Sequence, residues 1–264
     1  MSLETLKVEE SQGLLKICLN RPESYNAINR KMIEELHDQF LEAERNSSLR
    51  AILLTGAGKA FCSGGDVKSF FKAFQDQEAA SMFHRMPTNL HDMMLTMRNL
   101  KKPILGAING PAVGAGFSLA VCCDLLVAAE SAYFNLAYLK IGLSPDGGST
   151  YFLPRALGIH KTFELLTMGN KVSANEAKSL GFVSQVFPDS TFISEATWVA
   201  EKLAELPTRA VGVGKRLISQ SLNTTMETQL SHETEGVKET AFSQDFFEGV
   251  NAFVEKREPK FKGE

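Results

Sequence analysis

Two segments rich in small residues each follow a buried apolar run and precede a candidate helix. The first is Ala60–Asp66 and the second is Gly114–Gly116. Small residues let a ligand approach the backbone, and the first N–H groups of a helix have no partner within it. Such groups can hold a phosphate or the oxyanion of a polarised carbonyl, although the same small residues also serve tight packing alone. No Gly-Lys-Ser/Thr triplet follows either segment, so neither predicts a P-loop.

The elements around these segments alternate between strand and helix patterns. A hairpin is predicted at 6–10 and 14–19, and buried strands at 51–55, 103–108 and 125–129. Asn29 is a predicted N-cap, and Ser173 with Glu176 forms a capping-box signature. A long helix over 79–100 is expected to be interrupted near Pro87. This alternation favours a layered α/β core with parallel strands.

Beyond Pro188 the pattern becomes entirely helical. Helices are predicted over 193–206, 211–222, 225–240 and 246–256. We therefore divide the chain into a core at 1–190 and a helical region at 191–264. No flexible linker joins the two, so the helical region is expected to pack on the core or on a neighbouring subunit.

Composition excludes several classes of function. The 264 residues include 28 Lys and Arg against 31 Asp and Glu, a net charge of −3, which argues against a nucleic-acid partner. No apolar stretch reaches the roughly 18 residues that span a bilayer, and no signal-peptide pattern opens the chain. The histidines lack metal-ligand spacing with cysteines or carboxylates, so no metal is expected. These features predict a cytoplasmic protein without a membrane partner.

Several short motifs occur in order along nearly the whole chain. They are Asn20–Glu23, Asn26–Asn29, Ala60–Asp66, Ala107–Gly116, Cys123–Asp124, Pro154–Arg155 and Gly249–Arg257. Together they resemble the crotonase superfamily of enoyl-CoA hydratases and isomerases. The resemblance implies an α/β fold with a ββα spiral core and a helical C-terminal trimerisation region. It also implies a homotrimer or a dimer of trimers, and an acyl-CoA thioester substrate whose coenzyme A makes a separate cofactor unnecessary.

The resemblance also assigns residues to the oxyanion site. Ser63 and Ala115 match the two positions whose backbone N–H groups form the oxyanion hole of the family. The segment that lines the acyl-CoA path would comprise Ser63, Gly64, Gly65 and Asp66. An acyl thioester loses its α-proton only if the enolate oxygen is stabilised, and removing one such donor costs about 3–4 kcal/mol.

The resemblance assigns the acid–base chemistry to a single carboxylate. The positions of the two glutamates of the hydratases are occupied here by Ser118 and Tyr138. The segment Ile141–Thr150 instead resembles that of the Δ3,Δ2-enoyl-CoA isomerases and the epoxyphenylacetyl-CoA-isomerase-like enzymes, and Asp146 falls on their catalytic acid. A single carboxylate suits a proton shuttle from C2 to C4. Read without the other motifs, Pro-Asp-Gly is a common turn signal.

Three alternatives remain open beside the isomerase. A hydratase-type activity is one of them. His91 falls where the 4-chlorobenzoyl-CoA dehalogenases carry a catalytic histidine, and Tyr138 falls where they have a tryptophan that supports the aspartate nucleophile, so both are candidate substrate-binding residues. A lone helical histidine is otherwise typical of a core or an interface. The third alternative is a family member that binds CoA esters without turnover.

Overall fold

Strands and helices alternate along the computed structural model, which describes residues 3–264. Its nine strands are β1 Leu6–Ser11, β2 Leu14–Leu19, β3 Ala51–Gly56, β4 Ile104–Ile108, β5 Ala112–Val113, β6 Leu125–Ala129, β7 Tyr133–Asn135, β8 Val172–Ser173 and β9 Gln185–Phe187. Its eleven α-helices are α1 Arg30–Arg45, α2 Val67–Gln75, α3 Ala79–Asn99, α4 Ala115–Cys122, α5 Ser149–Leu157, α6 Ile159–Met168, α7 Ala174–Ser179, α8 Phe192–Ala204, α9 Thr208–Ser221, α10 Met226–Thr240 and α11 Gln244–Glu255. The predicted α/β class is confirmed.

The main sheet has six strands in the order β1-β2-β3-β4-β6-β9. β1 and β2 form the predicted antiparallel hairpin, and every later pair in this sheet is parallel. β3 and β4 are almost continuously buried, as expected for parallel strands covered on both faces. Parallel strands end at one edge of the sheet, so the segments after β3 and β4 emerge side by side. These segments contain the two small-residue motifs.

A second, smaller sheet orders the start of α4. It runs β5-β7-β8, with Ala112 opposite Phe134 and Val113 opposite Asn135. The N–H of Gly114 continues this pairing by donating to the carbonyl of Asn135 at 2.8 Å. The chain then enters α4 at Ala115. The position of the first N–H of α4 is therefore determined by strand pairing.

Local signals identified two helix caps correctly but misjudged Pro87. The side chains of Asn29 and Ser173 accept hydrogen bonds from the backbone three residues later, which confirms both predicted caps. α3 passes through Pro87 without a break. Proline removes one backbone hydrogen bond, but the following residues Leu90, Met93 and Met97 are buried and hold the helix in place.

The four helices predicted after Pro188 are present as α8–α11. α8 buries Phe192, Ala196 and Ala200 in the core beside the main sheet. α9 and α10 pack closely where Gly236 faces Val213. The division at 190/191 and the trimerisation role stay predictions. None of the helices within residues 3–264 is long and apolar enough to cross a membrane.

Candidate active site

The two small-residue loops are joined along their backbones. The N–H of Cys62 donates to the carbonyl of Pro111 at 3.0 Å, and the N–H of Val113 donates to the carbonyl of Cys62 at 2.9 Å. Gly64 has φ +100°, and a Cβ there would lie 2.8 Å from the carbonyl oxygen of Val113. Only glycine tolerates both this conformation and this approach. The loops after β3 and β4 thus form one continuous ligand-facing backbone.

Each loop carries an N–H group near the helix start that makes no hydrogen bond within residues 3–264. Ala115 is the first residue of α4, where N–H groups lack helical partners and the helix dipole favours negative charge. On the other loop, the N–H of Ser63 donates to the carbonyl of Tyr25 at 3.0 Å, so it is already used. Among residues 3–264, the N–H groups of Gly65 and Ala115 make no hydrogen bond. The available donor beside Ala115 therefore belongs to Gly65 and not to Ser63.

Asp66 is used to hold its loop. One carboxylate oxygen accepts the N–H of Ser69 at 3.2 Å and so caps α2, and the other pairs with Arg21 at 3.0 Å. Its side chain is almost fully buried. Arg21 also donates to the carbonyl of Ala27 at 2.6 Å. The acid predicted to line the substrate path thus anchors the loop that carries Gly65.

Aromatic side chains of α2 form a wall beside Gly65. The Phe70 ring covers this glycine, since a Cβ on Gly65 would lie 2.6 Å from the tip of the ring. Phe70 and Phe74 contact Phe83, with ring centroids 5.1 and 5.9 Å apart. Phe71 and Phe74 are each 64% exposed, too much for core residues. This wall offers an apolar surface next to the free N–H groups.

Asp146 is held by two hydroxyl groups from different elements. The Tyr138 hydroxyl donates to Oδ1 of Asp146 at 2.8 Å. Ser118 Oγ donates to the backbone carbonyl of Asp146 at 2.8 Å and lies 2.8 Å from the Tyr138 hydroxyl oxygen. Ser118 is on α4, one turn after Ala115. This places Asp146 one helical turn from a free N–H donor.

Glycine makes this contact possible. Gly147 has φ +60°, and a Cβ there would lie 2.9 Å from Cβ of Ser118. A side chain at this position would push the Asp146 loop away from α4. The sequence motif therefore does form a turn, and the turn brings the backbone carbonyl of Asp146 to α4.

His91 lies beside the turn that follows Asp146 and makes no hydrogen bond with the Asp146 carboxylate. Nε2 of His91 accepts the N–H of Gly147 at 3.3 Å, and the residue is exposed on α3. The lone pair of Nε2 is therefore used. His91 supports the backbone of the turn after Asp146.

Burial determines the protonation of two groups near the loops. It raises the pKa of Tyr138, and the negative charge of Asp146 raises it further, so the hydroxyl keeps its proton. Burial also raises the pKa of Cys62 to about 12. Cys62 is therefore a small core residue that remains a thiol. Within the described part of the chain, no cluster of three His, Cys, Asp or Glu residues could hold a metal ion.

The sequence model of the family described as enoyl-CoA hydratase/isomerase matches residues 9–264. The chain belongs to this family. This enoyl-CoA hydratase/isomerase family member is 35% identical over 261 residues to the 1,2-epoxyphenylacetyl-CoA isomerase of Escherichia coli (strain K12), covering 99% of each. It is 30% identical to the 2,3-dehydroadipyl-CoA hydratase of the same strain, covering 99% of this chain and 100% of the relative. It resembles the crystal structure of an enoyl-CoA hydratase from Polaromonas sp. JS666 with a TM-score of 0.92 and 32% identity, covering 97% of this chain and 99% of that one.

The family assignment confirms the resemblance to the crotonase superfamily and the crotonase-like fold. The protein is thus an acyl-CoA-processing enzyme of the enoyl-CoA hydratase/isomerase family. Its relatives carry both hydratase and isomerase names. These names therefore do not distinguish a hydratase from an isomerase for this family member.

Proposed function

We propose that the protein is a cofactor-independent enoyl-CoA isomerase that moves a double bond from C3=C4 to C2=C3. The observation that carries the proposal is the position of Asp146, which is hydrogen-bonded to Ser118 one turn after the free N–H of Ala115. A carboxylate beside an oxyanion site can take a proton from the carbon next to a thioester carbonyl. Coenzyme A would be part of the substrate.

The proposed reaction returns every proton that it takes. The thioester oxygen accepts hydrogen bonds from the N–H groups of Gly65 and Ala115. The Asp146 carboxylate removes a proton from C2 of the 3-enoyl thioester, and the electron pair of that C–H bond forms a dienolate whose charge rests on the thioester oxygen. The Asp146 carboxylic acid then gives its proton to C4. The product is the conjugated 2-enoyl thioester, and Asp146 is again ionised.

Two features favour this reaction over its alternatives. A hydratase with two catalytic glutamates is disfavoured because the matching positions carry Ser118 and Tyr138, whose hydroxyls are both engaged around Asp146. Hydrolytic dehalogenation needs a base for water after aspartate attack. The Nε2 lone pair of His91, the candidate base, is occupied by Gly147.

The exposed surface of the C-terminal helices supports self-association. Val237 on α10 and Phe253 and Val254 on α11 are 65%, 84% and 74% exposed. Apolar side chains this exposed on neighbouring helices favour a contact with another subunit. We propose that α9–α11 form the interface of a homotrimer, which could pair into a hexamer.

The test uses a 3-enoyl-CoA and follows the absorbance of the conjugated product. Asp146→Asn keeps the shape of the side chain but removes the base, and we expect the rate to fall by about 10²–10⁴-fold. Asp92→Asn, at an exposed position on α3, is the matched control and should keep the full rate. Full activity of Asp146→Asn would refute the proposal. CoA-ester binding without proton exchange at C2 in deuterated water would favour the non-catalytic alternative.

A further inference from the structure

Three close oxygen–oxygen contacts surround Asp146, but the site has only two hydroxyl protons to fill them when Asp146 is ionised. Ser118 Oγ lies 2.8 Å from the backbone carbonyl of Asp146 and 2.8 Å from the Tyr138 hydroxyl oxygen. The Tyr138 hydroxyl lies 2.8 Å from Oδ1 of Asp146. A hydrogen bond needs one proton between its two oxygens. Three such bonds therefore need three protons.

The assignment of protons follows from the chemistry of each group. A carbonyl only accepts, so the single Ser118 proton fills the bond to the Asp146 carbonyl. The bond between the two hydroxyls must then use the Tyr138 proton. In that arrangement the remaining contact, between the Tyr138 oxygen and Oδ1, can be filled only by a proton on Asp146 itself. With Asp146 ionised, Tyr138 donates to the carboxylate and the contact between the hydroxyls loses its proton.

Burial restricts the two hydroxyls to partners inside the site, where the only further acceptor for them among residues 3–264 is the Asp146 carbonyl, at a longer 3.3 Å from the Tyr138 hydroxyl. Ser118 is fully buried and Tyr138 is 7% exposed. The high pKa of Tyr138, caused by burial and by the charge of Asp146, keeps its proton in place. When Asp146 gains or loses a proton, the hydroxyl protons therefore rearrange among Ser118, Tyr138 and Asp146.

We propose that Ser118 and Tyr138, the hydroxyl pair, stabilise Asp146 in both protonation states by reversing the direction of their hydrogen bonds. The inference rests on the proposed function, in which Asp146 holds the substrate proton between C2 and C4. When the C2–H bond breaks, Asp146 gains that proton and donates it in a hydrogen bond to Tyr138, and Tyr138 donates to Ser118. When the proton moves to C4, Tyr138 donates to the carboxylate again. The hydroxyl pair never gives up its own protons to the substrate, so Ser118 and Tyr138 are positioning residues.

The hydroxyl pair predicts opposite effects for two conservative variants. Tyr138→Phe removes a donor to the carboxylate and an acceptor for the acid, and the bond to the charged form is the stronger of the two. The acid limb, the low-pH side of the plot of kcat/KM against pH, should therefore move to higher pH. Ser118→Ala removes the acceptor that Tyr138 needs only when Asp146 is protonated. Its acid limb should therefore move to lower pH.

Rates give a second readout. We expect kcat to fall by about tenfold to a hundredfold in Tyr138→Phe and by about tenfold in Ser118→Ala, the range for hydrogen bonds that involve a charged or buried polar group. KM should stay within about threefold, since neither hydroxyl contacts the substrate in this scheme. The double variant should lose less than the product of the two single losses, because both act on the same carboxyl group.

The experiment measures kcat/KM against pH with a 3-enoyl-CoA for the full-length protein and each variant, within the pH range where circular dichroism shows a folded chain. Tyr133→Phe and Ser149→Ala are matched controls. Ser149 also contacts the Asp146 carbonyl, at 3.3 Å, but has no bond to Tyr138, so its acid limb should not move.

The outcomes separate this inference from the proposed function. Acid limbs that shift in opposite directions in Tyr138→Phe and Ser118→Ala support the proposed role of the hydroxyl pair. Unmoved limbs, or shifts in the same direction, overturn it while an inactive Asp146→Asn leaves the isomerase proposal standing. A fully active Asp146→Asn overturns both.

Discussion

The carbonyl oxygen of Cys62 accepts the N–H of Val113 at 2.9 Å and so joins two loops that lie about fifty residues apart in the sequence. This bond, with its partner from Cys62 to Pro111, holds the free N–H groups of Gly65 and Ala115 in one site. Asp146 is tied to the same site through Ser118, which donates to its backbone carbonyl, and through Tyr138, which donates to its carboxylate. The chemistry proposed here therefore depends on close backbone contacts that tolerate few side chains.

A Cβ at Gly116 should separate these loops. In Gly116→Ala the new methyl group would overlap the carbonyl oxygen of Cys62, which is backbone and cannot turn away. We expect a loss of about 1–3 kcal/mol in the free energy of unfolding, as for an overpacked core, and a kcat at least tenfold lower. Urea denaturation and the isomerase assay measure the two effects.

Gly214→Ala is the matched control for this prediction. Gly214 lies within α9 with open space around its missing Cβ. The substitution should raise the free energy of unfolding by about 0.4–1 kcal/mol and leave the rate unchanged. Equal behaviour of the two alanine variants would contradict the close approach of the loops.

His91 should be a minor contributor to turnover. His91→Ala removes one hydrogen bond to the Gly147 backbone, and such neutral bonds are worth about 0.5–1.5 kcal/mol, so kcat should fall by no more than about tenfold. His91→Gln, which keeps an acceptor, should lose less. Halide assays with haloaryl-CoA substrates should show no release. A loss comparable with that of Asp146→Asn would instead identify His91 as a base.

The carboxylate of Glu35 should make stability depend on acid pH. It is buried on α1 and accepts hydrogen bonds from the N–H of Glu4 at 2.8 Å and from the N–H and hydroxyl of Thr5 at 2.9 and 2.6 Å. Burial alone would raise its pKa, but these donors and nearby Lys31 bring it below the ordinary 4.5. A folded-state pKa below the unfolded one stabilises the protein above pH 4.5. This contribution is lost as the pH falls through the lower, folded-state value.

Glu35→Gln tests this dependence. The variant should lose about 1–3 kcal/mol of unfolding free energy at neutral pH, because the donors lose a charged acceptor. Its stability should also fall less steeply below pH 4.5. Chemical denaturation at a series of pH values measures both. Glu34→Gln, at the half-buried neighbouring position that pairs with Arg30, should change the free energy of unfolding by no more than about 0.5 kcal/mol.

Charge on α11 should weaken self-association. Phe253 is 84% exposed, and Phe253→Glu would place a carboxylate in the proposed apolar interface. We expect trimers to dissociate at concentrations where the unmodified protein stays associated, as measured by analytical ultracentrifugation. Ser47→Glu adds the same charge at an exposed turn after α1 and should not change the oligomeric state. If Phe253→Glu associates as strongly as the control, the interface lies elsewhere.

Much of the fold was predictable because its signals are local. The caps at Asn29 and Ser173 act within one turn of their own helix, and the buried apolar runs of β3 and β4 required strands covered on both sides. Pro87 was misjudged because packing of the following residues outweighs one missing hydrogen bond. The motifs also identified the family without any knowledge of the structure.

The site was only partly predictable because its contacts join residues that are far apart in the sequence. Sequence alone determined which residue types could act: small residues at two helix starts, and one aspartate in a glycine-rich turn. The tertiary structure decided which of them is free. Tyr25 uses the N–H of Ser63, and Ser69 and Arg21 use the carboxylate of Asp66, which leaves the N–H of Gly65. The bonds from Tyr138 and Ser118 to Asp146 likewise join separate elements. A hydrogen-bonding group has a limited number of bonds to make, and only the folded chain shows which partners have already taken them.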